Sequence, residues 1–349
     1  MARQRLNSMD NLKLILILLI IYWHIMCSEV NLPFFYKEDI FYNSLSKFLK
    51  PMAYIFVNYF FIISGIFFRL SLDTTIGIKS FLNKKLQNLW PILFFSIFSI
   101  SIISLLGFNF PKLQIEANFL NLLFIHKEIG LSHVLANNGP SWYICALFWS
   151  NIILYGMCDK NCKKYIFYIV FLSTMLWVNN INIFPGEFIR AVALMGIGYF
   201  TGQFWIIYRN HINFNSKFTN VYFFSILEIV FLFLITKACV SEVYLRLFPE
   251  LLFCFFCLLI FSNHGIVSRV LTIINLNFLS KHSLSIYLMQ EFSFRILRGW
   301  WTKKLVIDYK GSTVIASVLF CILVGIFSGI FVNYIRQCMV NRKNNDTIS

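Results

Sequence analysis

The sequence predicts an all-α integral membrane protein, a bundle of about ten transmembrane helices with both termini in the cytoplasm. Hydrophobic residues make up 58% of the 349-residue chain and charged residues only 13%, whereas about a quarter of the residues in a typical soluble domain are charged. The hydrophobic residues form serial runs, most of which approach the roughly 20 residues that a helix needs to cross a bilayer. The segments between these runs are short, so we expect no soluble domain beside the bundle.

Ten hydrophobic runs define one membrane domain over residues 1–335, followed by a short, polar and disordered cytoplasmic tail over 336–349. Because ten is an even number, both termini lie on one side of the membrane. A modest excess of Lys and Arg in the segments on that side makes it the cytoplasm. The predicted spans are 12–30, 51–69, 90–108, 142–157, 165–180, 187–206, 221–239, 249–263, 279–295 and 313–335.

The net charge of +15 would indicate a nucleic-acid partner in a soluble protein. Here the basic residues lie mostly in short loops, where they set topology or attract anionic lipid headgroups and ligands. We therefore expect membrane lipids as partners and no nucleic acid. The nine cysteines show no spacing pattern that indicates a set of disulfide bonds. Cys254 and Cys257 have CxxC spacing, but they lie in an apolar run, where packing is the expected role. No metal is expected.

The first span carries two titratable side chains, Lys13 at its start and His24 in its second half. Eleven residues of α-helix are about three turns, so both side chains lie on one face, about 16 Å apart along the axis. Asp10 stands just before Lys13. A histidine inside a membrane helix is costly and usually faces the bundle interior or a wet cavity. His24 is then either a structural residue bonded to a neighbouring helix or a general base at the end of a polar path that begins beside Lys13.

The second span ends near Ser64-Gly65, a pair that allows close helix approach or a local kink. The following segment, Lys79 to Trp90, is basic and amphipathic, and Pro91 is predicted to open the third span. This segment is either an ordinary positive-inside loop or a cationic clamp for a cytoplasmic phosphate-bearing donor.

The longest outer loop runs from about Asn109 to Ser141 and holds His126 and His133, seven residues apart. They can share a helix face, although loop histidines of this kind are more often solvated than catalytic. Trp142 and Tyr143 then begin the fourth span at the outer interface. Late in the chain, basic and aromatic residues between Arg295 and Lys310 either bind an anionic polymer or anchor the chain in the headgroups.

Five motifs occur in the order found in the acyltransferase 3 family of bacterial integral membrane acyltransferases, which includes O-antigen, capsule and peptidoglycan O-acetyltransferases. The chain resembles that family over nearly its whole length. The motifs are Asp10-Asn11-Leu12-Lys13 with His24 after ten further residues, Phe60 to Gly65 as FFxxSG, the basic segment Phe81 to Pro91, Trp142-Tyr143, and Ser283 to Leu288 as SxxIYL.

The resemblance implies an enzyme of the bacterial cytoplasmic (inner) membrane that transfers an acyl group, in particular acetyl, from acetyl-CoA to a hydroxyl of a lipid-linked or cell-surface saccharide. It implies that His24 removes the acceptor hydroxyl proton or carries the acyl group. Lys13, Lys84 and Lys85 are expected to neutralise the CoA phosphates. Asp10 is expected to orient Lys13. The other residues expected to bind the substrates are Ser64, Trp142, Tyr143, Tyr287 and Gln290.

Three positions depart from the family pattern. Lys13 replaces an Arg, which keeps the charge but loses the bidentate guanidinium. Asn88 falls where the basic segment has a second Arg, and Gln290 falls where a His often follows the late motif. An inactive family member acting as a sensor or scaffold is therefore one alternative. A transporter, flippase or polymerase of lipid-linked saccharides is the other.

Overall fold

The fold is helical throughout the part of the chain that the computed structural model describes, and no strand occurs there. This confirms the all-α prediction. The described residues are 7–27, 40–72, 77–106, 114–133, 136–158, 162, 164–181, 185–208, 219–240, 247–274, 276–304 and 311–346. The helices are α1 Asn7–Cys27, α2 Ile40–Ser71, α3 Ile78–Leu105, α4 Ile115–Leu122, α5 Ser141–Met157, α6 Tyr165–Val178, α7 Gly186–Tyr208, α8 Thr219–Val240, α9 Phe248–Ser262, α10 Ile266–Ile273, α11 Asn277–Lys281, α12 Ser283–Lys304 and α13 Gly311–Asp346, with a 3-10 turn at Lys127–Ile129.

Each of the ten predicted spans overlaps one of the longer helices, although the span 279–295 begins in α11 and continues in α12. The predicted ends at 28–30 and 107–108 lie outside the described residues. Length and composition make four of the described helices apolar enough to cross a membrane, and α9 with α10, which meet at a 64° bend, would form a fifth. That the other predicted spans also cross the membrane remains a prediction. The cytoplasmic position of both termini remains a prediction as well. The four helices are Ile78–Leu105, Gly186–Tyr208, Val221–Cys239 and Ile315–Cys338.

Several helices extend well beyond the predicted spans, among them α2, α3, α12 and α13. The basic segment before Pro91 is not a loop but the first turns of α3. The buried side chains of Leu89, Leu93 and Ile97 recur every four residues on one face, so the packed stripe continues through the proline. Proline removes a single backbone hydrogen bond at that point, and the helix continues past it. Similarly, α13 remains helical to Asp346 and includes most of the predicted tail.

Glycines set the distance between α2 and α7. A Cβ added at Gly65 of α2 would overlap the Met195 carbonyl oxygen of α7, and one added at Gly198 would overlap the Ile62 carbonyl oxygen of α2. Gly198 and Gly202 have the GxxxG spacing that lets membrane helices approach closely. The close approach predicted from Ser64-Gly65 is confirmed, and it fixes the face on which Ser64 lies.

Side chains from two other helices hold both ends of the short helix α10. Glu228 of α8 is fully buried, and its carboxylate accepts a hydrogen bond from the Val267 amide at 2.7 Å. A carboxylate is favoured there because a helix N-terminus carries a partial positive charge. At the other end, the Asn11 amide of α1 donates to the carbonyls of Leu271, at 2.6 Å, and Ile274, at 2.8 Å.

Helix α1 lies in the interior of the bundle, where it packs against α2 and against α9 to α13. Leu14, Ile17, Ile20 and Ile21 are at most 1% exposed. In contrast, α8 keeps most of its large apolar side chains exposed, as a helix facing lipid does. The helix that carries the predicted catalytic residues is therefore enclosed by other helices.

Candidate functional site

Helix α1 places Lys13 against a cavity of about 480 Å³, which we call the central cavity. Four of the residues predicted from the sequence line it, although they come from α1, α2, α5 and α12. They are Lys13, Ser64, Tyr143 and Tyr287. The remaining wall is apolar and consists of Ile17, Ile20, Val57, Phe60, Leu89, Leu147 and Leu284.

The polar groups of the central cavity are few and connected. The Ser64 and Tyr143 hydroxyls are hydrogen-bonded at 3.1 Å. The Tyr143 and Tyr287 rings meet edge to face with centroids 5.5 Å apart, and Phe60 packs against both. A mostly apolar cavity whose lining includes three hydroxyl-bearing residues and one cation suits a long, thin ligand with a charged head.

The site continues along α1 beyond the central cavity. Ile20 is the last α1 residue that lines the cavity, and His24 follows one helical turn later. The His24 imidazole lies within electrostatic reach of the Gln290 side chain of α12. Gln290 is fully buried, and neither of its amide atoms makes a hydrogen bond of ordinary geometry to a described residue. The same holds for His24 Nδ1. Buried polar atoms without partners are uncommon and typically face a ligand or water.

A buried asparagine turn packs beside this end of α12. The Asn138 amide donates to Ser96 of α3 at 3.0 Å and to the Leu288 carbonyl at 3.4 Å. The guanidinium of Arg295 donates to the Asn137 carbonyl at 2.8 Å. Asn137 and Asn138 are at most 5% exposed, so this turn is held inside the protein by the hydrogen bonds of its polar groups.

The predicted donor-side lysines divide into two classes. Lys84 is exposed, whereas Lys85 is half-buried with its ammonium 5.4 Å from the Phe81 ring centroid. Lys85 lies in the electrostatic field of Lys13, and Lys13 in that of Asp10. Neither Lys84 nor Lys85 lines the central cavity. Lys85 lies within electrostatic range of both Lys84 and Lys13, and Lys13 is the member of this cationic group that lines the cavity.

Trp142 does not line the central cavity but supports a buried arginine. The Arg190 guanidinium lies 5.2 Å from the Trp142 ring centroid and 2.7 Å from the Glu187 carboxylate. Arg190 is 1% exposed. A cation over an indole ring is stabilised electrostatically, so Trp142 helps to hold this charge next to the Tyr143 wall.

The two loop histidines do not share a helix face, because α4 ends at Leu122. His133 is exposed. His126 is 1% exposed, and its Nδ1 accepts a hydrogen bond from the Glu128 amide at 3.1 Å. Burial lowers the pKa of His126 to about 4. The expectation that both histidines are solvated is therefore wrong for His126, whose ring caps the 3-10 turn.

A match to a known protein family identifies the family of this chain. A family model described as an acyltransferase domain, acyltransferase 3, matches residues 6–333. The chain belongs to the acyltransferase 3 family. No curated protein and no solved structure gave a match. Because the matched region extends from before Asp10 to within α13, it includes every residue of the candidate site.

Sequence reasoning missed a polar cluster in the middle of this acyltransferase 3 fold. The Asn58 amide donates to the Glu250 carboxylate at 2.6 Å, and Glu250 lies in the field of Arg190. All three side chains are 1% exposed. The available signal was the presence of Arg190 and Glu250 inside apolar spans, where ionisable residues face the bundle interior.

Proposed function

We propose that this acyltransferase transfers an acetyl group from cytoplasmic acetyl-CoA to a hydroxyl of a lipid-linked or cell-surface saccharide, in the bacterial inner membrane. The observation that carries the proposal is the arrangement along α1. Lys13 of α1 lines the central cavity. His24 of the same helix lies one turn beyond Ile20, the last α1 residue that lines the cavity, and is beside Gln290. Family membership supports acyl transfer as the reaction class.

The shape of the central cavity supports an acyl thioester as the donor. Its apolar wall suits a narrow pantetheine arm, and Lys13, with Lys84 and Lys85 nearby, supplies positive charge that attracts the CoA phosphates. Charge-assisted contacts to phosphate are stronger than neutral hydrogen bonds. In this orientation the thioester carbonyl lies toward Ile20 and His24.

His24 is the proposed general base. Its imidazole takes the proton from the acceptor hydroxyl as the hydroxyl oxygen attacks the thioester carbonyl. The tetrahedral intermediate collapses, the carbon–sulfur bond breaks, and the proton on His24 passes to the leaving thiolate. The products are the acetyl ester and free CoA, and His24 returns to its neutral form. Gln290 orients the imidazole through the side-chain contact between them.

The hydroxyl pair on the cavity wall is suited to stabilising charge on the carbonyl oxygen. Ser64 and Tyr143 are already hydrogen-bonded to each other at 3.1 Å, so their hydroxyls are held in place before substrate binds. Preorganised donors of this kind are worth more in a water-poor site than in water. Tyr287 and Phe60 exclude water from the same wall.

Purified protein in detergent tests the donor side by release of free thiol from acetyl-CoA in the presence of a saccharide acceptor. Lys13→Ala should lower kcat and raise KM, whereas Lys13→Arg should retain activity because the charge remains. The double variant Lys84→Ala with Lys85→Ala should raise the KM for acetyl-CoA about tenfold. Wild-type KM in the double variant would mean that the basic segment only sets topology.

Cells with and without the gene test the acceptor side. Their surface polysaccharide and lipid-linked saccharides should differ by acetyl groups, which mass spectrometry counts and NMR locates. Reintroducing the gene should restore those groups. An unchanged acetylation pattern, together with a loss of polymer or an accumulation of lipid-linked precursor, would instead support a flippase or polymerase.

A further inference from the structure

A second cavity, which we call the basic cleft, shares the lining residue Leu284 with the central cavity. It has a volume of about 450 Å³ and is formed by α3, the last residue of α11, the start of α12 and the second half of α13. Leu284 lines both cavities, and α3 contributes to both. The lining residues are Gln87, Asn88, Pro91, Ile92, Lys281, His282, Leu284, Ser285, Gly329, Val332, Asn333 and Arg336.

The basic cleft has the charge of an anion site. Lys281 and Arg336 supply two cations, and no carboxylate occurs among its described lining residues. The amides of Gln87, Asn88 and Asn333 add neutral hydrogen-bond donors. The first turn of α12 lines the cleft as well, and the N-terminal end of a helix favours a bound anion.

Arg336 links the last helix to the basic segment of α3. Its guanidinium donates to the side-chain Oδ1 of Asn88 at 3.3 Å, across 248 residues of sequence. Arg336 is half-buried, so its side chain lies in the cleft rather than extending into solvent. At Gly329, two turns earlier on α13, an added Cβ would overlap the His282 ring, so α12 and α13 are in close contact at that point of the cleft.

We infer that the basic cleft binds the phosphorylated nucleotide end of acyl-CoA, with Arg336 as its main cation. The pantetheine arm then occupies the central cavity. This inference rests on the proposed function. Arg336 of α13 then provides a positive charge beside Asn88, the neutral residue that stands where the family pattern has a second Arg. This role was not evident from the sequence, in which Arg336 is the first residue of a polar tail.

An anionic lipid headgroup carries the same phosphate chemistry. The nucleotide is favoured because the cleft shares Leu284 with the central cavity, which holds the pantetheine arm in the proposed reaction, so the two ends of one extended donor would lie in neighbouring cavities. A lipid headgroup would bind in the basic cleft without using the central cavity. The experiment therefore separates nucleotide from lipid.

The first measurement compares two donors, using protein in nanodiscs of phosphatidylcholine. Arg336→Ala should raise the KM for acetyl-CoA about tenfold, since it removes a charge-assisted phosphate contact. It should leave kcat/KM unchanged for acetylpantetheine, which lacks the nucleotide. Adding Asn88→Arg to that variant should restore part of the lost affinity. Arg269→Ala, at an exposed arginine of α10, is the matched control. An unchanged KM in Arg336→Ala, or equal losses with both donors, would overturn the inference.

The second measurement is independent of transfer. Adenosine 3′,5′-bisphosphate should bind wild-type protein in calorimetry and bind Arg336→Ala at least tenfold more weakly. If no donor supports transfer but this binding holds, the proposed reaction fails and the nucleotide site stands. If the bisphosphate does not bind, and phosphatidylglycerol instead raises thermal stability in an Arg336-dependent way, the cleft is a lipid site and the inference is wrong.

Discussion

His24 has the surroundings of a reactive imidazole rather than those of a fully satisfied structural one. Its side-chain neighbours include Gln290 and the Trp23 ring, whose centroid lies 4.8 Å away, and Nδ1 makes no standard hydrogen bond to a described residue. A histidine that served only packing would be expected to have its ring nitrogens paired inside the bundle.

We predict that His24→Ala lowers kcat for acetyl transfer by about 10² to 10⁴-fold, the range for loss of a positioned general base. Membrane expression should stay close to wild type. The measurement is thiol release from acetyl-CoA by purified protein with its acceptor. His133→Ala, at the exposed loop histidine, is the control and should keep full activity. A normal rate for His24→Ala would make the residue structural.

His126 predicts a pH dependence of stability. Its pKa in the folded protein is about 4, below the unfolded value of 6.5. The unfolded chain therefore binds this proton first as pH falls. Stability is retained above pH 6.5 and lost between pH 6.5 and 4. From pH 7 to 5 the loss from this group is about 2 kcal/mol.

Thermal unfolding in detergent at pH 7 and pH 5 measures this loss. His126→Asn keeps an acceptor for the Glu128 amide but does not titrate, so its unfolding temperature should fall less than that of wild type. His133→Asn should behave like wild type. Equal falls for wild type and His126→Asn would show that other groups control the acid response.

At the scale of helices, the contact between α2 and α7 is sensitive to substitution at its glycines. Gly65→Ala and Gly198→Ala each place a methyl group against a backbone carbonyl of the facing helix. Overpacking of this kind costs about 1 to 3 kcal/mol. The expected result is a lower unfolding temperature in detergent. Gly65→Ala should also reduce activity, because Ser64 is the next residue.

Gly156→Ala is the matched control, since its added Cβ has no neighbour within 4 Å. Alanine is the better helix former by about 1 kcal/mol, so this variant should be as stable as wild type or slightly more stable. If Gly65→Ala equals Gly156→Ala in stability, the two helices are further apart than described.

The sequence predicted the long helices well and their ends poorly. Hydrophobic runs locate helices because apolar faces must be buried or face lipid. Pro91 gave a false boundary, since the stripe of Leu89 and Leu93 extends past it. Helix α10 was missed because eight residues give too short a run, and its ends depend on Glu228 and Asn11, which are distant in sequence.

For the whole molecule, we predict that both termini are cytoplasmic. A reporter that is active only in the periplasm should stay silent when fused after Asn345, which lies at the end of α13. The same reporter within the loop between α3 and α4 should be active, and this fusion serves as the positive control. A strong periplasmic signal after Asn345 would overturn the ten-span topology and the side assigned to each substrate.

The candidate site was predictable where it lies on one helix and unpredictable where it joins several. The Lys13–His24 relation follows from helix geometry alone. The Ser64–Tyr143 hydrogen bond joins residues 79 positions apart, and the Arg336–Asn88 contact joins residues 248 apart. Such pairs depend on how helices pack, which a single sequence does not specify.

The hydrogen bonds from Asn11 to α10 have a consequence for mutational scanning. Asn11 belongs to the same motif as Asp10 and Lys13, yet its side-chain amide donates hydrogen bonds to the Leu271 and Ile274 carbonyls at the end of α10. A scan scored by polysaccharide acetylation should therefore rank Asn11→Ala beside His24→Ala. A scan scored by protein abundance in the membrane should separate them, with Asn11→Ala depleted and His24→Ala retained.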